Sequence, residues 1–95
     1  MKTIYKYELE ITYRQDLMLP IEYDVIDVDA QNGKLCLWAI VDPEEKETSS
    51  LTVMIKGTGH DITDEEYHQF FHVKSVVMPN FLVWHVFICA EEFNA

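Results

Sequence analysis

Histidines, cysteines and serines are the residues of this chain whose side chains could do chemistry. The histidines are His60, His68, His72 and His85. His68 and His72 share a face of either a helix or a strand, since a spacing of four suits both periods, and two imidazoles so placed can ligate zinc. Cys36 and Cys89 lie far apart, so no close-spaced cysteine pair completes a ligand set. We therefore predict no metal site and no other cofactor.

Nucleophilic catalysis is the second kind of chemistry to consider. The serine and cysteine side chains are those of Ser49, Ser50, Ser75, Cys36 and Cys89. None of them lies in a nucleophile elbow or in the context of a known cysteine enzyme. Carboxylates are abundant, but no predicted cleft gathers a pair of them for acid–base work. We therefore predict that the protein is not an enzyme.

Burial is the simpler role for some of these reactive side chains. Cys36 and Cys89 both lie in apolar, strand-like runs, which favours reduced and buried thiols. His85 lies between Trp84 and Val86, and we predict a hydrogen-bonded histidine of the core or of an interface.

A short glycine turn, Gly57-Thr58-Gly59-His60, follows a predicted strand. It lacks the third glycine of a dinucleotide-binding fingerprint and the Gly-Lys-Ser/Thr ending of a phosphate loop. One interpretation is backbone freedom at a tight strand exit. The other is a ligand-binding turn formed by Thr58, Gly59 and His60, because backbone N–H groups in such a turn can bind phosphate without side-chain charge.

The charge of the chain is strongly acidic, with 17 Asp and Glu against seven Lys and Arg and a formal net charge of −10. Such a surface repels nucleic-acid phosphates, so we predict no direct nucleic-acid binding. The acidic residues are concentrated in segments 22–29, 42–47 and 61–66. These residues keep the protein soluble, or they form a surface that binds a basic partner.

The hydropathy pattern indicates neither export nor membrane insertion. The N-terminal residues alternate polar with apolar and lack the continuous apolar stretch of a signal peptide. The longest apolar run, residues 81–90, is interrupted by His85 and is about half of the ~20 residues that a membrane-spanning helix needs. We expect a soluble, cytoplasmic protein without a membrane partner.

Alternating hydropathy predicts the strands that position these residues. Strict alternation from Thr3 to Tyr13 indicates a half-buried strand, and residues 14–20 are predicted as a loop. Alternation resumes from Leu51 to Lys56 and predicts a further strand with its apolar residues inward. Residues 70–78 and 82–90 are rich in β-branched and aromatic side chains and are predicted to form a hairpin at Pro79-Asn80. Between these strands, Thr63 to Glu66 has the form of a helical capping box.

The dipeptide Asn32-Gly33 gives the strongest local signal, because both residues tolerate the positive φ angles of a two-residue type I′ turn. The predicted register makes one apolar face by pairing Ala30 with Leu35, Val28 with Leu37 and Ile26 with Ala39. The opposite face pairs Asp29 with Cys36, Asp27 with Trp38 and Val25 with Ile40.

This second hairpin face contains the principal candidate binding residue, Trp38. Either Trp38 packs in the core, or it is an exposed anchor of the kind enriched at binding hot spots. In the second case, the predicted partner-binding residues are Tyr23, Asp27, Asp29, Trp38, Ile40 and Asp42. They would form an apolar anchor ringed by carboxylates, which suits a partner protein with a basic surface.

The predicted fold is a single, mainly β domain over residues 1–95. We expect a small antiparallel sheet, a sandwich or a partly open barrel of about six strands, with at most one short helix. The last strand is apolar on both faces, so it lies at the centre of the sheet or has one face at a subunit interface. The Trp38 strand also has apolar residues on both faces, and a domain this thin cannot cover every face, so we predict that the protein self-associates as a homodimer.

Four motifs carry a resemblance that spans nearly the whole chain. They are Ile4-Tyr5-Lys6-Tyr7, Asn32-Gly33-Lys34 with residues 37–42, Gly57-Thr58-Gly59-His60, and Val83-Trp84-His85-Val86-Phe87. In these four motifs the chain resembles a family of small bacteriophage and prophage proteins that is known only as a domain of unknown function. The segment 63–72, which contains two of the histidines, departs from that group.

The resemblance implies a phage-encoded accessory protein that acts in a bacterial cytoplasm. By analogy with other small acidic phage proteins, it would bind and inhibit a host protein, for example one of a restriction or CRISPR system. The alternatives are a small-ligand-binding protein that sequesters a defence-signalling nucleotide and a minor virion or assembly component.

Overall fold

Seven strands and one short helix form the part of the chain that the computed structural model describes, residues 1–90. The strands are β1 (Thr3–Leu9), β2 (Arg14–Pro20), β3 (Asp24–Gln31), β4 (Lys34–Val41), β5 (Thr48–Gly57), β6 (Phe71–Val77) and β7 (Val83–Ala90), and helix α1 (Asp64–Gln69) lies between β5 and β6. They pair antiparallel in two sheets, in the orders β1-β4-β3 and β2-β5-β7-β6. The prediction of a mainly β fold with one short helix is confirmed.

The hydrophobic core joins the two sheets through alternate residues of their strands. In β4 the inward side chains are Leu35, Leu37, Ala39 and Val41, all buried. They belong to one cluster with Leu51, Val53 and Ile55 of β5 and with Val76 and Val86 of β6 and β7. Each fully buried side chain of this size contributes about 1.5–3 kcal/mol relative to an exposed one, so this cluster is the main source of stability.

The β3–β4 hairpin turns at Asn32 and Gly33, whose φ angles of 53° and 77° give the positive values of a type I′ turn. The predicted register is confirmed near the turn, where Ala30 pairs with Leu35 and Val28 pairs with Leu37. The register therefore follows from the turn residues.

The prediction that Ile26 pairs with Ala39 is wrong. A β-bulge at Ile26 shifts the register, so Val25 pairs with Ala39 and Asp24, instead of Val25, pairs with Ile40. The extra residue reverses the faces beyond it. Val25 accordingly packs against the core, whereas the side chain of Ile26 is 48% exposed.

Gly33 is required for this turn by its backbone and not by its surroundings, because no atom lies within 4 Å of where a Cβ would stand. We therefore expect Gly33→Ala to destabilise the protein by about 1–2 kcal/mol, the penalty of an L side chain at positive φ. Urea denaturation measures the change. An unchanged midpoint would show that the turn relaxes to another type, and Ile26→Ala, which truncates an exposed side chain, is the control.

Residues 14–20 form strand β2, so their prediction as a loop is wrong. Leu17 and Leu19 face the core, and Gln15 lies on the same side, opposite Val53. The alternation of this strand is hard to recognise in the sequence, because polar residues flank its two inward leucines and Pro20 ends it. Since β2 is an edge strand, a proline at its last residue breaks no central ladder.

The first strand ends at Leu9, four residues before the predicted Tyr13. The side chain of Gln15 stops the ladder by bonding the backbone of Glu10 twice, donating to its carbonyl at 2.7 Å and accepting from its N–H at 3.0 Å. The chain then bends and enters the other sheet.

The β6–β7 hairpin forms at Pro79-Asn80 as predicted, and β7 lies at the centre of its sheet, between β5 and β6. Its central position accounts for its apolar residues. Both cysteines are free and buried, as predicted. No helix within residues 1–90 is long and apolar enough to cross a membrane.

Helix α1 begins with the predicted capping box: Thr63 Oγ1 accepts from the Glu66 N–H at 3.1 Å, and Glu66 Oε1 accepts from the Thr63 N–H at 3.0 Å. The Glu66 carboxylate is 97% buried because three further groups surround it. Lys56 Nζ lies 3.2 Å away, Arg14 lies 3.6 Å away, and the Tyr13 hydroxyl donates a hydrogen bond. The cap therefore fixes the helix onto the outer side of the four-stranded sheet.

Candidate functional site

The outer side of the three-stranded sheet, turned away from the core, forms the candidate site. Trp38 lies at its centre and pairs with Lys6 on β1 and Asp27 on β3. Ile40 is the next outward residue of β4 and pairs with Ile4, whose side chain is 56% exposed. We call the apolar row Ile4, Ile40 and Trp38, with the residues paired to it, the Trp38 face.

No other element covers the Trp38 face within residues 1–90. The inner side of this sheet packs in the core, and helix α1 packs on the opposite sheet, where Phe70 joins Met54 and Cys89. Trp38 and Ile40 are nevertheless half-buried, because their neighbours on the sheet lie against them. Trp38 is thus neither a core residue nor fully exposed.

Three lysines lie among the polar side chains that surround Trp38, and two of them contact carboxylates. Lys74, on β6, donates to Asp27 at 3.1 Å and to Asp29 at 3.2 Å, and so ties the two sheets together at their β3 and β6 edges. On the other side, Lys34 lies 3.9 Å from Glu8. Lys6 donates to Gln31 at 2.9 Å, which carries its side chain across β4 from β1 to β3.

These contacts compensate most of the negative charge around Trp38. Lys34 contacts Glu8 and Lys74 contacts Asp27 and Asp29, while Lys6, held by Gln31, adds a third positive charge. The pKa of Asp29 is lowered by the Ala30 N–H and then by Lys74, and the pKa of Lys74 is raised by Asp27 and Asp29. The acidic ring is therefore present, but its charge is largely compensated.

The other two predicted patch residues lie at the far end of the sheet. Tyr23 packs, partly buried, against the core, because the bulge at Ile26 reverses the faces that the sequence predicts for this part of β3. Asp42 follows β4, and its Oδ1 accepts from the Glu44 N–H at 3.0 Å. Asp42 thus shapes the β4–β5 loop, and Tyr23 does not join the Trp38 face.

Uncompensated acidic charge lies in two loops at this same end. The β2–β3 and β4–β5 connections lie side by side, because the Ile21 N–H donates to the Glu47 carbonyl at 2.9 Å. The carboxylates on and beside these loops are Glu22, Asp24, Asp42, Glu44, Glu45 and Glu47, and Lys46 is the basic residue among them. We call them the acidic end; it adjoins Ile40.

The Gly57–His60 turn is held by its own contacts. The Gly57 N–H donates to His60 Nδ1 at 3.0 Å, and a Cβ on Gly57 would lie 3.2 Å from Trp84. Gly59 has a φ of 92°. Backbone geometry and packing thus account for both glycines without a ligand. The His60 Nδ1, which could otherwise bind a ligand, already accepts a backbone hydrogen bond.

Thr58 belongs instead to a chain of hydrogen bonds on the outer side of the four-stranded sheet. Its hydroxyl lies 2.7 Å from His85 Nε2, His85 Nδ1 lies 2.6 Å from Ser75 Oγ, and Ser75 Oγ lies 3.0 Å from His72 Nε2. His85 is half-buried and hydrogen-bonded at both ring nitrogens. Among residues 1–90, no three His, Cys, Asp or Glu side chains are grouped so as to hold a metal ion.

Sequence reasoning missed Ile4, Lys6 and Lys74 as parts of the Trp38 face. The alternation of β1 puts Ile4, Lys6 and Glu8 on one side. It does not show that β1 pairs with β4, because β2 and β3 lie between them in the sequence. Lys74 arrives from the other sheet. The exposed row of β1 was the one usable signal, given the correct strand order.

The fold and this face together define a small two-sheet β protein with a half-exposed aromatic on one open sheet surface. The chain belongs to the family described as a domain of unknown function (DUF7352), whose model matches residues 1–94. No curated protein and no solved structure matches the chain.

Proposed function

We propose that this protein is a non-catalytic binding domain that docks onto a host protein through its Trp38 face. The observation that supports this function is the row of Ile4, Ile40 and Trp38 on a sheet surface that no described element covers. Aromatic and apolar residues surrounded by compensated polar groups are typical of the centre of an interface, where water is excluded.

The partner's surface is basic in this proposal, because the acidic end adjoins the Trp38 face. Its six carboxylates stand beside Lys46, so the local charge attracts cations over roughly one Debye length, ~8 Å at physiological salt. The resemblance to phage proteins supports the finer proposal that the protein acts in a bacterial cytoplasm on a host defence protein.

Affinity capture from bacterial lysate at low salt tests this function. The wild-type chain should retain a discrete partner that a variant with Ile4→Ser and Trp38→Ala does not retain. Tyr67→Ala removes an exposed aromatic side chain from helix α1, which packs on the opposite sheet, and should retain the partner. A partner retained equally by all three chains, a wild-type chain that retains none, or turnover of a substrate by the purified protein would contradict the proposal.

Charge reversal at the acidic end should slow association with the captured partner. We expect Glu44→Lys with Glu47→Lys to lower the on-rate about tenfold at low salt and to flatten its salt dependence, leaving the off-rate nearly unchanged. Biolayer interferometry over a salt series measures both rates.

The matched control for this variant is Glu10→Lys with Asp61→Lys, which makes the same charge change at the other end of the molecule. Reversing Asp27 and Asp29 should have a smaller effect on the on-rate than the Glu44 and Glu47 reversal, because Lys74 already compensates them. Equal losses in all these variants would mean that only net charge matters.

A further inference from the structure

The Thr58–His85–Ser75–His72 chain is the one group of hydroxyl and imidazole side chains in residues 1–90 that three consecutive hydrogen bonds connect. It lies on the opposite sheet from the Trp38 face. Thr58, Ser75 and His72 are exposed and His85 is half-buried, so solvent and solutes reach the chain. The His72 ring is fixed edge-on against Phe87, with ring centroids 5.3 Å apart.

The direction of the three hydrogen bonds depends on how many protons the two imidazoles hold. With both imidazoles neutral, each hydrogen bond has one proton, and the bonds can all run in either direction. A proton added to His85 makes both of its ring nitrogens donors, which turns the Thr58 hydroxyl proton outward. A second proton on His72 makes Ser75 accept from both histidines, and the Ser75 hydroxyl proton then also turns outward.

In the doubly protonated chain, the hydroxyl protons of Thr58 and Ser75 therefore have no acceptor within the chain. Two outward hydroxyls lie beside two imidazolium rings, and the two like charges converge on one oxygen, Ser75 Oγ. Two adjacent positive charges repel each other, so an anion beside them stabilises this state. A dianion that accepts from both hydroxyls supplies this counter-charge.

The charged groups around the chain do not supply that counter-charge. Lys56, which pairs with His85, directs its ammonium group to Glu66 at 3.2 Å, and Lys74 on β6 is bound to Asp27 and Asp29. On the helix side, Glu66 and Tyr67 line a cavity with His72, but the Glu66 carboxylate is already held by Tyr13, Thr63 and Lys56. No described ion pair brings a carboxylate onto the four side chains.

We propose that Thr58, His85, Ser75 and His72 bind a tetrahedral oxyanion of the sulfate or phosphate class, with uptake of protons by the two imidazoles. Binding and protonation are then thermodynamically linked, so each strengthens the other. This site is independent of the proposed docking function.

Sulfate is the suitable probe, because its charge is constant between pH 5.5 and 7.5 and any pH dependence comes from the protein. At constant ionic strength in chloride, we expect sulfate to bind about tenfold more tightly at pH 5.5 than at pH 7.5, since histidine ordinarily takes up its proton within this range. Isothermal titration calorimetry measures the affinity. Equal affinity at the two pH values would overturn the proposal.

Histidine NMR locates the effect. Sulfate should shift the ring resonances of His72 and His85 and leave those of His60 and His68 in place. Ser75→Ala and Thr58→Val should each weaken sulfate binding at pH 5.5, and His68→Gln, the matched control on helix α1, should leave it unchanged. Sulfate-dependent shifts at all four histidines, or binding that survives Ser75→Ala unchanged, would show an adventitious ion only.

Discussion

Replacing Glu66 by Gln is expected to lower the free energy of unfolding by about 3 kcal/mol, because removal of one partner from a buried ion pair leaves the other charge uncompensated. In the wild-type protein the carboxylate faces Lys56, whose side chain is 11% exposed, and it accepts from Tyr13 and Thr63. A domain of this size should then melt roughly 12–24 °C lower. Thermal and urea denaturation followed by circular dichroism measure both changes.

The pH dependence of stability should change in the same variant. Hydrogen bonds from Tyr13 and the Thr63 N–H, with Lys56, lower the pKa of Glu66 from 4.5 to about 2 in spite of its burial. A carboxyl whose pKa falls on folding stabilises the native state above its unfolded pKa and loses that contribution as pH falls toward the folded pKa. Wild-type stability should therefore decline between about pH 4.5 and 2 by an amount that is absent from Glu66→Gln.

Glu65→Gln is the control for this prediction, because Glu65 precedes Glu66 in the same helical turn and is exposed. It should change stability by no more than about 0.5 kcal/mol. A Glu66→Gln protein as stable as wild type at neutral pH would show that the carboxyl is not ionised in the folded state, or that Lys56 finds another partner.

Trp38→Ala is expected to weaken partner binding by about 2 kcal/mol, a loss of roughly 30-fold in affinity, because buried tryptophans are frequent hot spots. The loss should appear in the dissociation rate, since removal of a packed anchor leaves long-range attraction unchanged. Surface plasmon resonance with the captured partner separates the two rates. Tyr67→Ala should bind like the wild type.

Folding of the variants must be separated from binding, because Trp38 also packs against its neighbours on the sheet. Circular dichroism and a denaturation curve show whether Trp38→Ala remains folded. Ile4→Ala truncates a more exposed residue of the same face and should also speed dissociation, by a smaller factor. Normal binding by both folded variants would place the interface elsewhere, at the acidic end or around His60.

Features determined by neighbouring residues could be predicted from the sequence. The Asn32-Gly33 turn needs two positive φ angles, and the Thr63–Glu66 box closes within one helical turn, so local chemistry decides both. The same holds for the apolar last strand, because apolar residues on both of its faces favour a central place in a sheet.

Features that depend on contacts between distant elements could not be predicted. The bulge at Ile26 is one extra residue that the hydropathy pattern does not mark, and it decides the side on which Tyr23 lies. Lys74 compensates Asp27 and Asp29 although 45 or more residues separate them. The capping box predicts a backbone contact for Glu66, but its burial depends on Tyr13, Arg14 and Lys56, which come from other elements.

Hydroxyl-radical footprinting of the wild-type complex tests the docking proposal most directly, because it needs no substitution. Partner binding should protect Trp38, Ile4 and Ile40 from oxidation and leave Tyr67 and Phe81, exposed elsewhere on the molecule, as reactive as in the free protein. Unchanged oxidation of Trp38 with protection of Phe81 or Tyr67 would contradict the proposal and move the interface away from the Trp38 face.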